Sequence, residues 1–404
     1  MSLDAAIGQV LSADLCTGCG FCAQLRPDIV MDLDDRGFGR PRIDSAQAPI
    51  ADEQADQEAL RRFETTCPGR TVAAPPAPKA SEDNATFGRY LEAWQGWAAD
   101  PALRHAGSSG GVLTALSTWL LESEQADAVV CAGQSPRVPA ETAAFHLPDP
   151  AAVRTHTGSR YAPVANLELP VAATDVFIGK PCEAAALRAA TSRQSAAPII
   201  LSFFCAGVPS QFATDRLITK LLGRDEPVES VRYRGDGWPG EFRFVTRSGH
   251  AVSCSYETSW GEHLGRDIQW RCKLCVDGTG GAADVAVGDY WNSSESGYPV
   301  FDDAPGRSVV LARTERGRAL VLAAAAASVI HLEPVDVADV ERGQPLQVRR
   351  KQTLFGRLLG TRAAGQRVPS YRGWGLLRLA VKNPRANLKA ARRSYGRVKA
   401  ASGD

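Results

Sequence analysis

No stretch of the 404-residue chain approaches about 18 uninterrupted apolar residues, which excludes a conventional membrane-spanning helix. The opening segment, MSLDAAIGQVLSADLC, lacks both a basic region and an apolar run, so no secretory signal is expected and the default compartment is the cytoplasm. Histidine is scarce, and His105, His146, His156, His250, His263 and His331 share no metal-binding spacing. No internal repeat of solenoid period occurs. No motif that reads nucleic acid is present either, and residues before the last fifth of the chain are acidic on balance, which argues against a nucleic-acid partner.

What the chain has is cysteine: ten, at 16, 19, 22, 67, 131, 182, 205, 254, 272 and 275. In a long chain with no secretory signal, tight C-x-x-C spacing favours metal ligation over disulfides. LCTGCGFCAQLRPDI places Cys16, Cys19 and Cys22 at strict three-residue intervals. Such a run wraps backbone around a small inorganic cluster, and Gly18 and Gly20 permit the tight turns. In two-cluster ferredoxins a fourth Cys followed by Pro stands after three intervening residues and ligates the other cluster. Here that position is Arg26, with Pro27 retained. Cys67-Pro68 in TTCPGR supplies the remote fourth ligand, giving one [4Fe–4S] site on Cys16, Cys19, Cys22 and Cys67 in a ferredoxin-like unit over residues 1–70. A zinc site on the same thiolates is the competing reading, although structural zinc usually uses paired C-x-x-C knuckles.

The segment 71–85, TVAAPPAPKASEDNA, reads as a Pro/Ala-rich linker. From residue 86 the pattern becomes α/β. GGVLTALSTWLLESE (110–124) has helical spacing, and ADAVVCAG (126–133) is β-rich. VFIGKPCEAAALRAA (176–190) reads as strand, turn and helix, APIILSFFCAGVPS (197–210) as a buried strand and turn, and ADVAVGDYW (283–291) and SVVLARTERG (308–317) as further strands. WRCKLCVD carries Cys272 and Cys275. That pair alone is compatible with redox, zinc or chance. Cys182 and Cys205 each follow a predicted strand. Such turns gather at the carboxyl edge of a parallel sheet, so these four thiols are candidates to converge there as a second cluster. Cys131 and Cys254 stand singly and read as structural.

Six motifs in order, GSSGGVLTAL, GSRYAPV, VFIGKPCEAAAL, FFCAG, YRGDGWPG and CKLCVDG…ADVAVGDYW, make the chain resemble the coenzyme F420 hydrogenase/dehydrogenase beta-subunit family, which is related to 7-hydroxymethyl chlorophyll a reductase. The resemblance spans about residues 86–330. It implies an N-terminal-type, flavin-binding region at 86–165 and a C-terminal-type region at 166–345. It also implies an α/β (α+β) catalytic domain that uses FAD and one or more [4Fe–4S] clusters. The reaction implied passes electrons between clusters or ferredoxin and an organic compound, coenzyme F420 or another planar or unsaturated substrate. Carried over by motif, Ser108, Ser109, Gly110 and Gly111 resemble the flavin-contacting loop. Ser159, Arg160 and Tyr161 would supply phosphate contact and stacking. Gly179 and Lys180 would place a small residue and a cation at a strand end. Cys182, Cys205, Cys272 and Cys275 resemble cluster ligands. Trp238 lies in a loop near the implied active site or in the core, and Asp277 and Asp289 tune the site or cap turns. No proton donor is assigned. His105 and Glu183 are near these loops and are equally readable as structural. Two alternatives have the chain as a non-catalytic electron-relay or redox-sensing subunit, or as an auxiliary redox protein for cell-surface polysaccharide assembly.

Net charge is only +1, yet Arg349 to Asp404 holds 15 Lys or Arg and a single acidic residue. The basic tail, 346–404, carries three readings. It docks an acidic electron carrier such as ferredoxin, lies on an anionic membrane surface, or is a solvated, mobile charge run.

Overall fold

A computed structural model describes residues 1–44, 53–76, 81–291 and 304–402. Its centre is a mixed sheet of eight strands, as an α/β fold requires. Four adjacent strands run parallel: Val129–Gln134, Val176–Gly179, Ile199–Phe203 and Val285–Asp289. Thr142–Leu147 closes one side antiparallel. Ser308–Ala312, Glu92–Ala98 and Ile330–Pro334 extend the other. Val285–Asp289 and Ser308–Ala312 are buried almost throughout. Cover on both faces explains why they read as continuous apolar runs rather than alternating ones.

Helices begin where proline and cap chemistry allow. Pro101, Pro150, Pro181, Pro345 and Pro384 each open one, since proline's missing N–H costs nothing in a first turn. Val112–Glu122 starts instead from Gly111 in the left-handed conformation, with no side chain capping its first turn. It buries Val112, Ala115, Leu116 and Leu120 against the sheet. A three-stranded antiparallel sheet, Val228–Arg232, Glu241–Thr246 and Ala251–Ser255, packs on Tyr233, Phe242 and Phe244. Its first two strands carry the loop that holds Trp238.

The N-terminal unit sets helices Leu3–Ser12 and Glu53–Thr66 against the hairpin Ile29–Leu33/Gly39–Ile43. Arg26 is buried here. It grips Asp28 with Nε and Nη2 (2.9 and 2.8 Å), reaches Asp56 through Nη1 (3.1 Å) and pairs with Asp4 (2.8 Å). Where a two-cluster ferredoxin would spend a thiolate, this chain ties both helices to the loop after the cysteine run with one guanidinium.

Two expectations change. The segment after residue 71 is not a bare linker. Thr71–Ala73 forms a strand and Glu82–Asn84 a hairpin with Gly88–Tyr90, while 77–80 lie outside the described residues. Nor is the C-terminal region a mobile charge run. Its helices Pro345–Ala363, Leu376–Lys382 and Pro384–Ser402 are folded, and Ser370–Arg372 pairs in parallel with Thr71–Ala73. The reason is small residues on one face. A Cβ at Gly356 or Gly360 would overlap the backbone of Asn387 or Ala391, so the long helices cross at backbone contact. Asn387 seals the crossing, accepting from Gly356 N and donating to Gln352 O, both at 2.8 Å. Charge counting hides this face because the basic side chains occupy the others. None of the helices is long and apolar enough to cross a membrane, among the described residues.

Replacing Arg26 by Ala leaves the buried Asp28 carboxylate uncompensated. Destabilisation of about 3–5 kcal/mol is expected, read as a lower denaturation midpoint of the metal-free chain.

Candidate active site

The turns that the sequence singles out meet at the carboxyl edge of the parallel strands and in the N-terminal unit packed beside it. In the first set, Cys16, Cys19, Cys22 and Cys67 line one small cavity, walled by Ile7, Val10, Phe63 and Met31. Gly18 and Gly20 turn with φ of 69° and 89°. A side chain at Gly18 would meet Gly39 O at 2.9 Å, and at Gly20 the Glu168 N at 2.6 Å, so only glycine passes. Gly18 N points at Cys16 Sγ (3.4 Å). Burial pushes the Cys19 thiol up to about 11 and Cys67 up to about 12, and it raises Cys22 well above its ordinary value, with Cys19, Cys16 and Cys67 adding to the effect on Cys22.

The second set also converges. Burial raises the Cys182, Cys205 and Cys272 thiols, Cys205 to about 12. Cys205 and Cys272 add to the effect on Cys182, and Cys272 and Cys275 to that on Cys205. Cys182 and Cys205 follow neighbouring parallel strands, while Cys272 lies in the short helix Trp270–Lys273 and Cys275 just after it. The C-terminal helix completes the surroundings. Arg350 donates to Cys205 O (2.8 Å) and Ala206 O (2.7 Å), and Gln347 to Cys205 O (3.2 Å). The Tyr371 hydroxyl donates to Leu274 O. Lys351 lies 4.2 Å over the Trp374 ring, and burial pulls its pKa down to about 8. All ten cysteines are free; Cys131 and Cys254 sit on separate strands, outside both sets.

Both sets offer four sulfurs and backbone or amide N–H groups directed at them, a donor set that suits a soft metal centre. Tetrahedral zinc, with Zn–S near 2.3 Å, needs sulfurs within about 4 Å of one another. Among the described residues no group of three or more His, Cys, Asp or Glu is disposed to hold a metal ion as it stands.

Three further loops interlock at Ser108. Its hydroxyl accepts from Ser159 N (2.6 Å) and donates to Arg234 O (3.4 Å). Ser109 Oγ and Gly110 N both meet Ser308 Oγ, at 2.8 and 2.9 Å. Gly158 and Gly235 take φ of 104° and 116°, and a side chain on either would strike Arg234 O or Ala106 O. Tyr161 packs on Trp260 with ring centres 5.0 Å apart. Arg234, which sequence reading passes over, is 1% exposed. It pairs with Asp289 (2.6 Å) and lies 4.6–5.0 Å from the Tyr256, Trp238 and Trp291 rings. Its Nη2 is buried with no hydrogen bond. The one available sequence signal was an arginine inside an aromatic- and glycine-rich motif, YRGDGWPG.

Other candidates resolve into support. Arg160 donates to Thr142 Oγ1, Val231 O and Glu141 O, so its guanidinium serves the fold and leaves the proposed phosphate contacts. Lys180, beside Gly179, is buried and donates to Glu183 (2.5 Å) and Val164 O (2.9 Å). Burial opposes its charge, yet Glu183 and the neighbouring thiols hold its pKa above the ordinary lysine value. Glu183 also accepts from Lys180 N and Asn166, which makes it a buried helix cap rather than a free acid. His105 is exposed at the rim, where its carbonyl accepts from Gly237 N. Asp277 caps the turn through Thr279 N and Gly281 N.

Two sets of four thiols beside a glycine- and aromatic-rich loop cluster are the kind of donor set that redox proteins use. Family models for the coenzyme F420 hydrogenase/dehydrogenase beta subunit match the chain, the N-terminal model over residues 93–169 and the C-terminal model over 174–338, and the chain belongs to that family. A chain in the xenon-derivatised F420-reducing [NiFe] hydrogenase complex from Methanosarcina barkeri is similar in fold, with 18% identity and a TM-score of 0.55. The similarity covers 72% of this chain and 99% of that one. Comparison with curated proteins gives no match.

The raised thiols carry a pH signature. In the metal-free chain Cys19, Cys67 and Cys205 stay neutral in the fold above pH 9, where unfolded thiols ionise. Stability is therefore kept below pH 9 and lost as pH climbs toward 11–12, by about 1.4 kcal/mol per pH unit for each such thiol. Urea midpoints measured from pH 8 to 11 should fall accordingly.

Proposed function

We propose that the chain is an FAD- and [4Fe–4S]-dependent oxidoreductase. It exchanges electrons between one-electron carriers and an organic compound, coenzyme F420 or another planar or unsaturated substrate. The observation that carries this reading is the juxtaposition of two four-thiol sets, one at the sheet's carboxyl edge and one in the unit packed beside it. Cys16, Cys19, Cys22 and Cys67 would hold one cluster, and Cys182, Cys205, Cys272 and Cys275 the other. Clusters carry single electrons, and bound FAD exchanges a hydride with the substrate and single electrons with them.

The chain's own residues do the binding and shaping. Ser108, Ser109, Gly110, Gly111 and Ser159 form the loops where backbone approaches closely. The uncapped first turn of Val112–Glu122 leaves N–H groups free for phosphate. Tyr161 offers a ring for stacking. The Arg234 guanidinium, with one nitrogen unpartnered, offers a desolvated positive charge to an electron-rich ring. Lys180 and Glu183 form a buried ion pair beside Cys182 and position its turn.

The outer face of Pro384–Ser402 exposes Arg385, Lys389, Arg392, Arg393 and Arg397 with no carboxylate among them. This face supports an acidic redox protein, ferredoxin or a complex subunit, as partner. It also favours a second reading, an electron-relay subunit that turns over only in a complex. The isolated chain oxidising reduced F420 with a dye acceptor would exclude that second reading.

Anaerobically reconstituted protein is expected to bind iron, sulfide and FAD. Cys67→Ser and Cys205→Ser should each lose about half of the iron, whereas Cys131→Ala and Cys254→Ala should lose none. Iron and sulfide assays with flavin absorbance check this; a zinc-loaded, flavin-free protein would refute it.

A further inference from the structure

One side chain touches both cysteine sets. Gln269 is 2% exposed and immediately precedes Trp270–Lys273. Its Nε2 donates to Thr17 O (3.2 Å), inside the first C-x-x-C turn, and to Cys272 Sγ (3.4 Å) of the second set. Its Oε1 accepts from Arg40 Nη1 (3.0 Å). That last contact fixes the amide's orientation. A guanidinium has only donors, so Oε1 must face Arg40 and Nε2 must face the carbonyl and the sulfur. Arg40 is itself held by Gly39 O and by Asp14 and Asp34. Gln269's backbone is pinned too, its N donating to Val208 O and its O accepting from Cys272 N, both at 3.1 Å.

Arg271 makes a parallel span. It is 3% exposed, and its Nη2 donates to Pro68 O (2.8 Å), next to Cys67. Its charge acts on Cys182, Cys272 and Cys275 and also on Cys16. Leu274 is buried in the N-terminal unit's own apolar core. The segment Gln269–Cys275 is thus wedged between the two sets, and the sequence gives no hint of it beyond the C-x-x-C pair.

We propose that Gln269 sets the reduction potential of the second cysteine site and joins it to the first. This rests on the reading that both sets carry clusters. An N–H···S bond withdraws charge from a thiolate and favours the reduced, more negative form of the centre it holds. Gln269 gives that bond to a ligand sulfur only in the second set. In the first it meets a carbonyl. Its removal should therefore lower the second site's potential and leave the first nearly unmoved.

The test uses the full chain, reconstituted anaerobically, as wild type, Gln269→Leu and Gln269→Glu. Iron content is measured first, then both potentials by redox titration with electron paramagnetic resonance. Leu removes the donor. Glu keeps the shape and places an anion against the sulfur. The expected order of second-site potential is Gln, then Leu, then Glu. The first step is about tenfold in the one-electron equilibrium, about 59 mV. With both sites reduced, wild-type spectra should show mutual spin broadening. A purely structural role would perturb Leu more than the isosteric Glu and so reverse the order. About eight irons per chain with unmoved or reversed potentials overturns the role of Gln269 alone. A wild type that takes only about four overturns the two-site reading itself, and this inference with it.

Discussion

A thiolate is a poor guest in a protein interior, and this chain gathers eight cysteines, two buried and six half-buried, into two sets. Burial alone drives the Cys19, Cys67 and Cys205 thiols toward their neutral forms. Each set therefore needs compensation: oriented N–H groups, nearby guanidinium groups, and walls that fix sulfur positions before anything binds. The rest of the molecule follows from that demand. Glycines with positive φ open the first turn, the parallel strands deliver Cys182 and Cys205 side by side, and the wedge at Cys272–Cys275 is braced from both flanks.

The same demand explains where the arginines go. Arg40, Arg234, Arg271 and Arg350 are all buried, and each ends on a carbonyl, an amide oxygen or a carboxylate beside the site. Arginine suits this work because it cannot shed its proton and its planar fork reaches several acceptors at once. Arg26 performs the equivalent task where no sulfur remains.

Sequence reading reached the parts whose physics is local. The C-x-x-C-x-x-C spacing, the remote Cys67-Pro68 and the strand–turn–helix pattern around Cys182 are short-range facts; the first four thiols line one cavity, and those of the second set lie near enough to act on one another's charge. It fell short where side chains act at a distance. Arg160 looked available because its partners, Glu141 and Val231, lie 19 and 71 residues away along the chain. Lys180 looked free to meet a cofactor because Glu183, three residues on, only becomes a buried partner once the helix forms. The C-terminal region looked like loose charge because Gly356 and Gly360 matter only opposite Asn387 and Ala391. Gln269 carried no pattern at all and Arg234 only its place in YRGDGWPG, and their meaning lies in what surrounds them.

The short parallel pairing of Thr71–Ala73 with Ser370–Arg372 joins two segments that both lie outside the matched family models. Trp374 reinforces it, its indole N–H donating to Val72 O at 3.0 Å. Neither extension is therefore an independent appendage. Deleting the front one strips the rear one of its strand partner, and deleting the rear one uncovers Val72 and withdraws Arg350 from Cys205. The front and rear extensions thus share one strand pairing and one packed face, so they stand or fall together as a single folded unit.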